Sequence, residues 1–334
     1  MKKRYLWLGL IILILSAALF IGGCGGKDEG AGNKEGTAGG AKEKVALKVG
    51  YLPITHSLPL VVSHKLDNAN FKNVNIEPVK FSSWPELTEA LNSGQIQGAI
   101  TMSELAIASK AKGIPTQIQL LSHRNGDFLT VKNDIKSLAD LKGKTVAIPH
   151  RLSGHNILLY KALKEAGIKY GDVEKREVPP PDMMGALNRG EVVGYIVAEP
   201  FGTQAVKGGQ GKALLRSNDI WKDWICCGLV LNEDFIKANP EAAQEFMDSF
   251  VKAGRYIDQN RSEAVKIAQE YMNIKSELWE ESLKHTSYSD LKPKKQEFET
   301  LQSYLVEMGL LKEKVNLDEL ITDQYAVKAY EKVK

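Results

Sequence analysis

Cysteine is scarce in this chain: 334 residues hold three, Cys24, Cys226 and Cys227. That excludes a scaffold of disulfides. The two adjacent residues could bridge only with strain, so they are expected as free thiols packed on a strand. Net charge is scarce too, with 44 Lys and Arg against 41 Asp and Glu. Setting aside Lys2, Lys3 and Arg4 leaves 41 against 41. A neutral chain with interspersed signs lacks the electrostatic footprint of a nucleic-acid binder, and it does not resemble a protein that adsorbs to membranes through charge. Also missing are a Gly-rich phosphate loop, a nucleophile elbow and a paired-carboxylate motif. No catalysis and no cofactor are read from the sequence.

Residues 25–44 contain no large apolar side chain. Such a stretch cannot offset its own ordering entropy and is expected to be a flexible tether over 24–44. Before it, three basic residues precede an apolar run from Tyr5 to Ile21 and the small residues Gly22 and Gly23. That order is the one of a secretory leader over 1–23, and about 17 apolar residues are marginal for a stable span. Phe20-Ile21-Gly22-Gly23-Cys24 resembles a bacterial lipobox. The resemblance implies that Cys24 is acylated and that the mature chain is held on the extracytoplasmic face of the cell membrane, through its lipid alone.

From Val45 onward the chain alternates short strands with helices. Strands are expected at 47–52, 74–81, 117–121, 128–131, 145–148, 173–178 and 192–197. Helices are expected at 86–92, 104–112, 154–166 and 182–189, and another after Pro200. This alternation argues for an α/β protein with parallel, doubly wound sheets. About 290 residues exceed one ordinary core and suit two lobes. Beyond Leu231 only helices are expected, at 240–258, 262–273, 276–285 and 294–309, then a short one. Asn239 would be the N-cap of the first, with Pro240 in its first turn. Phe246, Phe250 and Ile257, like Leu301, Leu305 and Met308, mark buried stripes.

Several strings sharpen the reading: Gly50-Tyr51-Leu52-Pro53-Ile54-Thr55-His56, Ser83-Trp84-Pro85, Ala90-Leu91-Asn92-Ser93-Gly94, Ser137 to Ala147, Pro179-Pro180-Pro181-Asp182-Met183 and Ala198-Glu199-Pro200-Phe201. Together they resemble the nitrate/sulfonate/taurine/bicarbonate-binding family of ABC-transporter solute-binding proteins, which includes binders of thiamine-pyrimidine precursors. The resemblance spans residues 45–310. It implies a two-lobed periplasmic-binding-protein fold of type II (Venus-flytrap) with a C-terminal helical segment. Lobe one would comprise 45–127 and 232–334, and lobe two 133–225, with hinge crossings near 127–132 and 226–232. It further implies a monomer that captures a small anionic or zwitterionic solute and delivers it to an ABC permease and its ATPase.

In open sheets the ligand crevice lies beyond the carboxyl ends of the strands. That rule selects Thr55, His56 and Ser57, then Trp84, Thr101, Met102, Ser103 and Asn125, and in the second lobe His150, Ser153, His155, Glu199 and Pro200. Free N–H groups at helix starts would bind an oxyanion. Thr101, Ser103 and Ser153 are equally ordinary capping residues, Trp84 could close a helix start over the core, and His155 could face solvent. Glu199 would repel an anion unless the solute carries an amine, a metal intervenes, or the side chain turns to structure. Two rivals come from other classes. His56, His123, His150 and His155 all fall at expected strand ends and could capture a transition metal, although no pair has the tight spacing of a helical zinc site, and no metal ligand is assigned. The pyrimidine synthase of yeast-type thiamine biosynthesis is similar in part, but it carries a richer cysteine motif than Ile225-Cys226-Cys227-Gly228 and is not exported.

Overall fold

The computed structural model describes residues 43–333. The leader, Cys24 and the tether up to residue 42 lie outside the described residues. No helix among the described residues is long and apolar enough to cross a membrane.

Twelve strands are described. β1 (Val45–Tyr51), β2 (Val74–Lys80), β3 (Gly98–Met102) and β4 (Thr116–Leu121) come first, followed by the two-residue β5 (Arg124–Asn125). β6 (Asp127–Val131), β7 (Thr145–Ile148), β8 (Glu174–Glu177), β9 (Gly194–Ala198) and β10 (Lys212–Arg216) follow, then β11 (Cys227–Asn232) and the two-residue β12 (Thr286–Ser287). They form two five-stranded sheets, in the orders β2-β1-β3-β11-β4 and β10-β6-β9-β7-β8, while β5 and β12 pair alone. The interior strands β3 and β9 are buried along their whole length, as expected of strands covered on both faces.

Helices α1 (Leu58–Asp67), α2 (Trp84–Asn92) and α3 (Ser103–Ala111) connect the first sheet, and α4 (Gly154–Glu165), α5 (Met183–Arg189), α6 (Phe201–Lys207) and α7 (Ser217–Ile220) belong with the second. After β11 come α8 (Glu233–Ala238), α9 (Pro240–Gln259), α10 (Arg261–Tyr271), α11 (Ser276–Ser282), α12 (Lys295–Glu307), α13 (Leu317–Leu320) and α14 (Gln324–Lys332). The apolar stripes on α9 and α12 are core: Phe246, Phe250, Ile257, Leu301 and Leu305 are all buried.

The sheets are mixed, which corrects the expectation of parallel ones. β1 runs parallel to β2 and β3, and β7 to β8 and β9. β11 opposes β3 and β4, and β6 opposes β9 and β10. The cause is connectivity. The chain passes from the first sheet to the second through residues 122–126 and returns through 221–226. Each crossing therefore enters its new sheet at the edge where the parallel strands finish. Asp127, opening β6, pairs with Ala198 at the end of β9. Cys227, opening β11, pairs with Met102 at the end of β3. The segments 127–132 and 226–232, expected as crossings, are largely those two strands, and the passages lie just before them.

Two smaller corrections concern the C-terminal part. It is not wholly helical, because β12 pairs with β5. Asn239 does not cap α9 through its side chain; its Nδ2 donates to the Phe235 carbonyl at 3.1 Å, closing α8 instead.

Candidate functional site at the seam of the two sheets

Where the sheets meet, six ligand-type side chains come together, drawn from four parts of the chain. His56 follows β1, His123 lies on the first crossing, Asp127 opens β6, His155 sits in the first turn of α4, Cys226 ends the second crossing and Cys227 opens β11. All are buried. His56 lies flat on His123, with ring centroids 3.3 Å apart and planes 18° apart.

The hydrogen bonds fix which ring nitrogen carries a proton. His123 Nδ1 faces the Asn125 carbonyl at 2.8 Å and must donate, so Nε2 accepts from the Cys227 amide at 3.2 Å. His56 Nε2 faces the Gly126 carbonyl at 3.4 Å and Asp127 Oδ1 at 3.6 Å, both acceptors. Its Nδ1 lone pair is thereby turned to Cys227 Sγ at 3.5 Å. His155 Nε2 donates to Asp127 Oδ1 at 2.8 Å, and its Nδ1 has no partner. Trp224 Nε1 donates to the other Asp127 oxygen at 2.8 Å.

Burial sets the electrostatics. It lowers His56 to about 4 and takes His123 well below its ordinary value, so both rings are neutral near pH 7. Burial alone would raise Asp127, but His155 and His56 outweigh it and hold the carboxyl at about 2. Glu104, in the first turn of α3, is raised to about 8 by burial, with backbone amides of Glu104 and Gly154 pulling the other way. Neither oxygen completes a hydrogen bond of ordinary geometry with those amides or with any other group. Burial also raises both cysteine thiols, Cys226 the more strongly. They are free, as expected, with sulfurs 3.7 Å apart.

Two glycines make the seam possible. Gly126 takes φ +89, and a Cβ there would sit 2.5 Å from Thr286 Oγ1. At Gly154 a Cβ would lie 2.6 Å from both Glu104 Oε1 and the Trp224 ring, so α4 can start this close to α3 only without a side chain.

The residues singled out from the sequence divide into groups. Thr55 and His56 are at the seam, with Thr55 bonded to the Glu199 carbonyl. Met102 is buried at the end of β3. Thr101 and Ser103 are buried with hydroxyls that have no partner, so capping does not account for them. Ser153 does cap, accepting from the Asn156 amide at 3.2 Å. Asn125 takes φ 58 on the first crossing, with an unpartnered Oδ1. His155 is buried rather than facing solvent. Trp84 is 1% exposed in the first turn of α2, and its indole N–H is unpartnered.

Others point elsewhere. His150 is half-buried and its Nδ1 accepts from the Leu152 amide within its own loop, among Glu177, Arg151 and Lys112. Glu199 turns to structure: its oxygens accept from the Thr203 amide at 2.8 Å and the Thr203 hydroxyl at 2.6 Å. Pro200 lines a separate surface cavity of about 530 Å³ with Phe201, Ile274 and Leu278.

Glu104, Asp127 and Trp224 were not singled out, nor were the cysteines as ligands. The strand-end rule looks to carboxyl ends, whereas the crossing strands bring their amino ends to the same edge. The adjacency of Cys226 and Cys227 was the one sequence signal for that end.

Two mixed sheets joined by two short crossings, with polar groups gathered where they meet and a helical C-terminal segment, make this a protein of the periplasmic-binding-protein fold. The profile of the NMT1-like family matches residues 40–271, and the chain belongs to that family. It is 27% identical over 260 residues to the nitrate/nitrite-binding protein of a Nostoc species, covering 70% of this chain and 59% of that protein. It is 34% identical over 179 residues to the taurine-binding periplasmic protein of Escherichia coli, covering 52% of this chain and 55% of that one. The chain thus spans less than two thirds of the length of either. Among solved structures it resembles the ligand-binding component of an ABC-type import system from Staphylococcus aureus with zinc bound. That match has a TM-score of 0.81 and 32% identity, over 86% of this chain and 99% of that one. The resemblance read from the strings between Gly50 and Phe201 is borne out at the level of family and fold.

Proposed function

We propose that the protein is the extracytoplasmic solute-binding component of an ABC importer. It holds a small polar solute between two lobes that close on it, passes it unaltered to a membrane permease and its ATPase, and catalyses no reaction. Lobe one is built on the first sheet with the C-terminal helices and lobe two on the second. The observation that carries this reading is the set of buried polar groups without partners at the seam: Thr101, Ser103, Glu104, Asn125 and His155. Burying such groups without partners costs about 1–3 kcal/mol each, a cost that a solute bonding to them removes.

The chemistry of the seam favours a zwitterion or an amine-bearing solute over a bare anion. No Lys or Arg belongs to the cluster, and its imidazoles His56 and His123 are neutral. A nitrate or bicarbonate ion would be desolvated there with only the start of α3 to oppose its charge. Glu104 can hold an amine, while Ser103, Thr101 and the α3 amides receive a sulfonate or carboxylate. A taurine-type solute or an aminopyrimidine of the thiamine-precursor type meets these terms. Calorimetry with taurine, an alkanesulfonate, nitrate, bicarbonate with calcium, and hydroxymethylpyrimidine amine tests this. The amine-bearing compounds should bind, and Glu104→Gln should weaken them at least tenfold. Binding of nitrate with none of the amines would overturn it.

A second reading has its own observation. The nitrogen and sulfur ligand atoms of His56, His123, Cys226 and Cys227 lie within 4.8 Å of one another, and the Staphylococcus relative carries zinc. On that reading the cargo is a transition-metal ion.

The lipid anchor at Cys24 belongs to the same proposal, supported by the basic, apolar, small-residue order before it. A mass spectrum of the native protein without an acylated Cys24 would remove it. The monomeric state is also part of the proposal, and light scattering of the purified protein measures it.

A further inference from the structure

The geometry points to a built tetrahedral site for one thiophilic transition-metal ion, with Cys226 Sγ, Cys227 Sγ, His56 Nδ1 and His123 Nε2 as its four ligands. This deepens the metal-ion reading by naming the ligands, and it holds whether the metal is cargo or a fixed part of the solute pocket.

The distances are those of a coordination polyhedron. With Zn–S near 2.3 Å and Zn–N near 2.05 Å, a tetrahedron has S–S edges of about 3.8 Å and S–N edges of about 3.5 Å. The two sulfurs here are 3.7 Å apart, and His56 Nδ1 lies 3.5 Å from Cys227 Sγ. Successive residues of a regular strand point to opposite faces. Cys226 precedes β11 on the crossing, and that allows both thiols to turn to the same side.

The surroundings are those of ligating histidines. Each imidazole gives its N–H to a fixed acceptor and turns its lone pair inward: His123 to the Asn125 carbonyl, His56 to the Gly126 carbonyl with Asp127 behind it. Such outer bonds fix tautomer and ring orientation in metal sites. A core that merely buried two neutral imidazoles would not need one lone pair aimed at the Cys227 thiol and the other at the Cys227 amide, with the second thiol beside them. Two nitrogens and two sulfurs suit zinc or copper(I) rather than calcium or magnesium, which take oxygen. On loading, the two thiol protons pass to solvent, and the Cys227 amide gives up its bond to His123. Because all four ligands are buried, the ion enters only when the lobes part.

The full chain, reduced and stripped of metal, is titrated with zinc chloride alone against a chromophoric chelator, and with cobalt(II) chloride by absorption. The expected result is one ion per chain at submicromolar affinity. Cobalt should show the intense visible bands of tetrahedral geometry and a thiolate charge-transfer band in the near ultraviolet. Cys227→Ser and His123→Gln should each weaken zinc by at least about 100-fold, with circular dichroism confirming the fold. The wild-type cobalt spectrum keeps the test decisive if a variant fails to fold. Weak octahedral cobalt bands, zinc binding no tighter than about 10 µM, or unchanged affinity in folded variants would overturn the site. Taurine titrations with and without zinc separate the two ideas: failure of taurine to bind leaves the metal count untouched, and failure of zinc to bind leaves the taurine titration of the metal-free chain as the test of the solute reading.

Discussion

The backbone carbonyl of Glu199 accepts two hydrogen bonds from Thr55, one from its amide at 2.9 Å and one from its hydroxyl at 3.2 Å. Thr55 follows β1 of the first sheet and Glu199 follows β9 of the second, so this contact fastens one half of the molecule to the other. Thr55→Val keeps the amide bond and the side-chain volume but removes the hydroxyl. It should cost about 1 kcal/mol, read as a lower urea midpoint with unchanged slope. An unchanged midpoint would show that the hydroxyl contributes nothing.

Asp127 joins three elements through His155, Trp224 and His56. Asp127→Ala leaves two buried N–H donors without an acceptor, and it should destabilise by on the order of 3 kcal/mol. The ionised carboxylate contributes stability above its ordinary value of 3.8, and that contribution fades as pH falls toward the folded value of about 2. The variant should therefore lack this part of the acid transition. Equal urea midpoints for variant and parent, with identical acid limbs, would refute the role.

Glu104 acts with the opposite sign. Its folded value of about 8 exceeds its ordinary 4.5, so the folded state binds the extra proton and stability falls as pH rises between the two. Glu199, raised to about 7 by burial, adds the same trend over 4.5 to 7. His56, lowered from 6.5 to about 4, opposes both below pH 6.5, where its contribution is lost on acidification. From pH 7 to 8 Glu104 supplies most of the change, with a smaller share from Glu199, which is half protonated near pH 7, while His56 no longer titrates. The parent protein should lose up to about 1 kcal/mol across that unit, and Glu104→Gln should lose less. Urea titrations of both at pH 7 and pH 8 measure the difference, and parallel behaviour would contradict the assignment.

Gly154→Ala places a methyl group 2.6 Å from Glu104 Oε1 and from the Trp224 ring. Helix propensity alone would favour alanine by about 1 kcal/mol. The clash should reverse that sign and weaken solute and zinc binding together. A stabilised variant with intact binding would mean that α4 can retreat freely.

Much of the fold was legible in the sequence because its elements obey local rules. β7 at 145–148 and the start of α9 at Pro240 follow from apolar runs and from proline. Helix α1 escaped notice because Leu58 to Ser63 are all buried, which leaves no polar face to set a period. β10, with half-buried residues at its sheet edge, has a weak alternation and was missed likewise. The site was half legible. Thr55, His56, Ser103 and His155 stand where a strand-end rule places them. Asp127 and the cysteines stand there because the crossings reverse direction, and Glu104 because glycine at 154 lets two helices approach. Those are facts of three-dimensional connection, and no spacing along the chain encodes them.

Helix α12 rests on α3 of the first half and on α4 of the second. Toward the first half it is backed by α13 as well. Toward the second its polar grip is Glu307, which accepts from the Tyr160 hydroxyl at 2.7 Å and pairs with Lys164 in water. Exposed pairs of this kind hold weakly. A helix leaning on both sides works as a gauge: if loading of the seam tilts them as proposed, the exposed pair at Glu307 is a polar hold that the tilt would loosen.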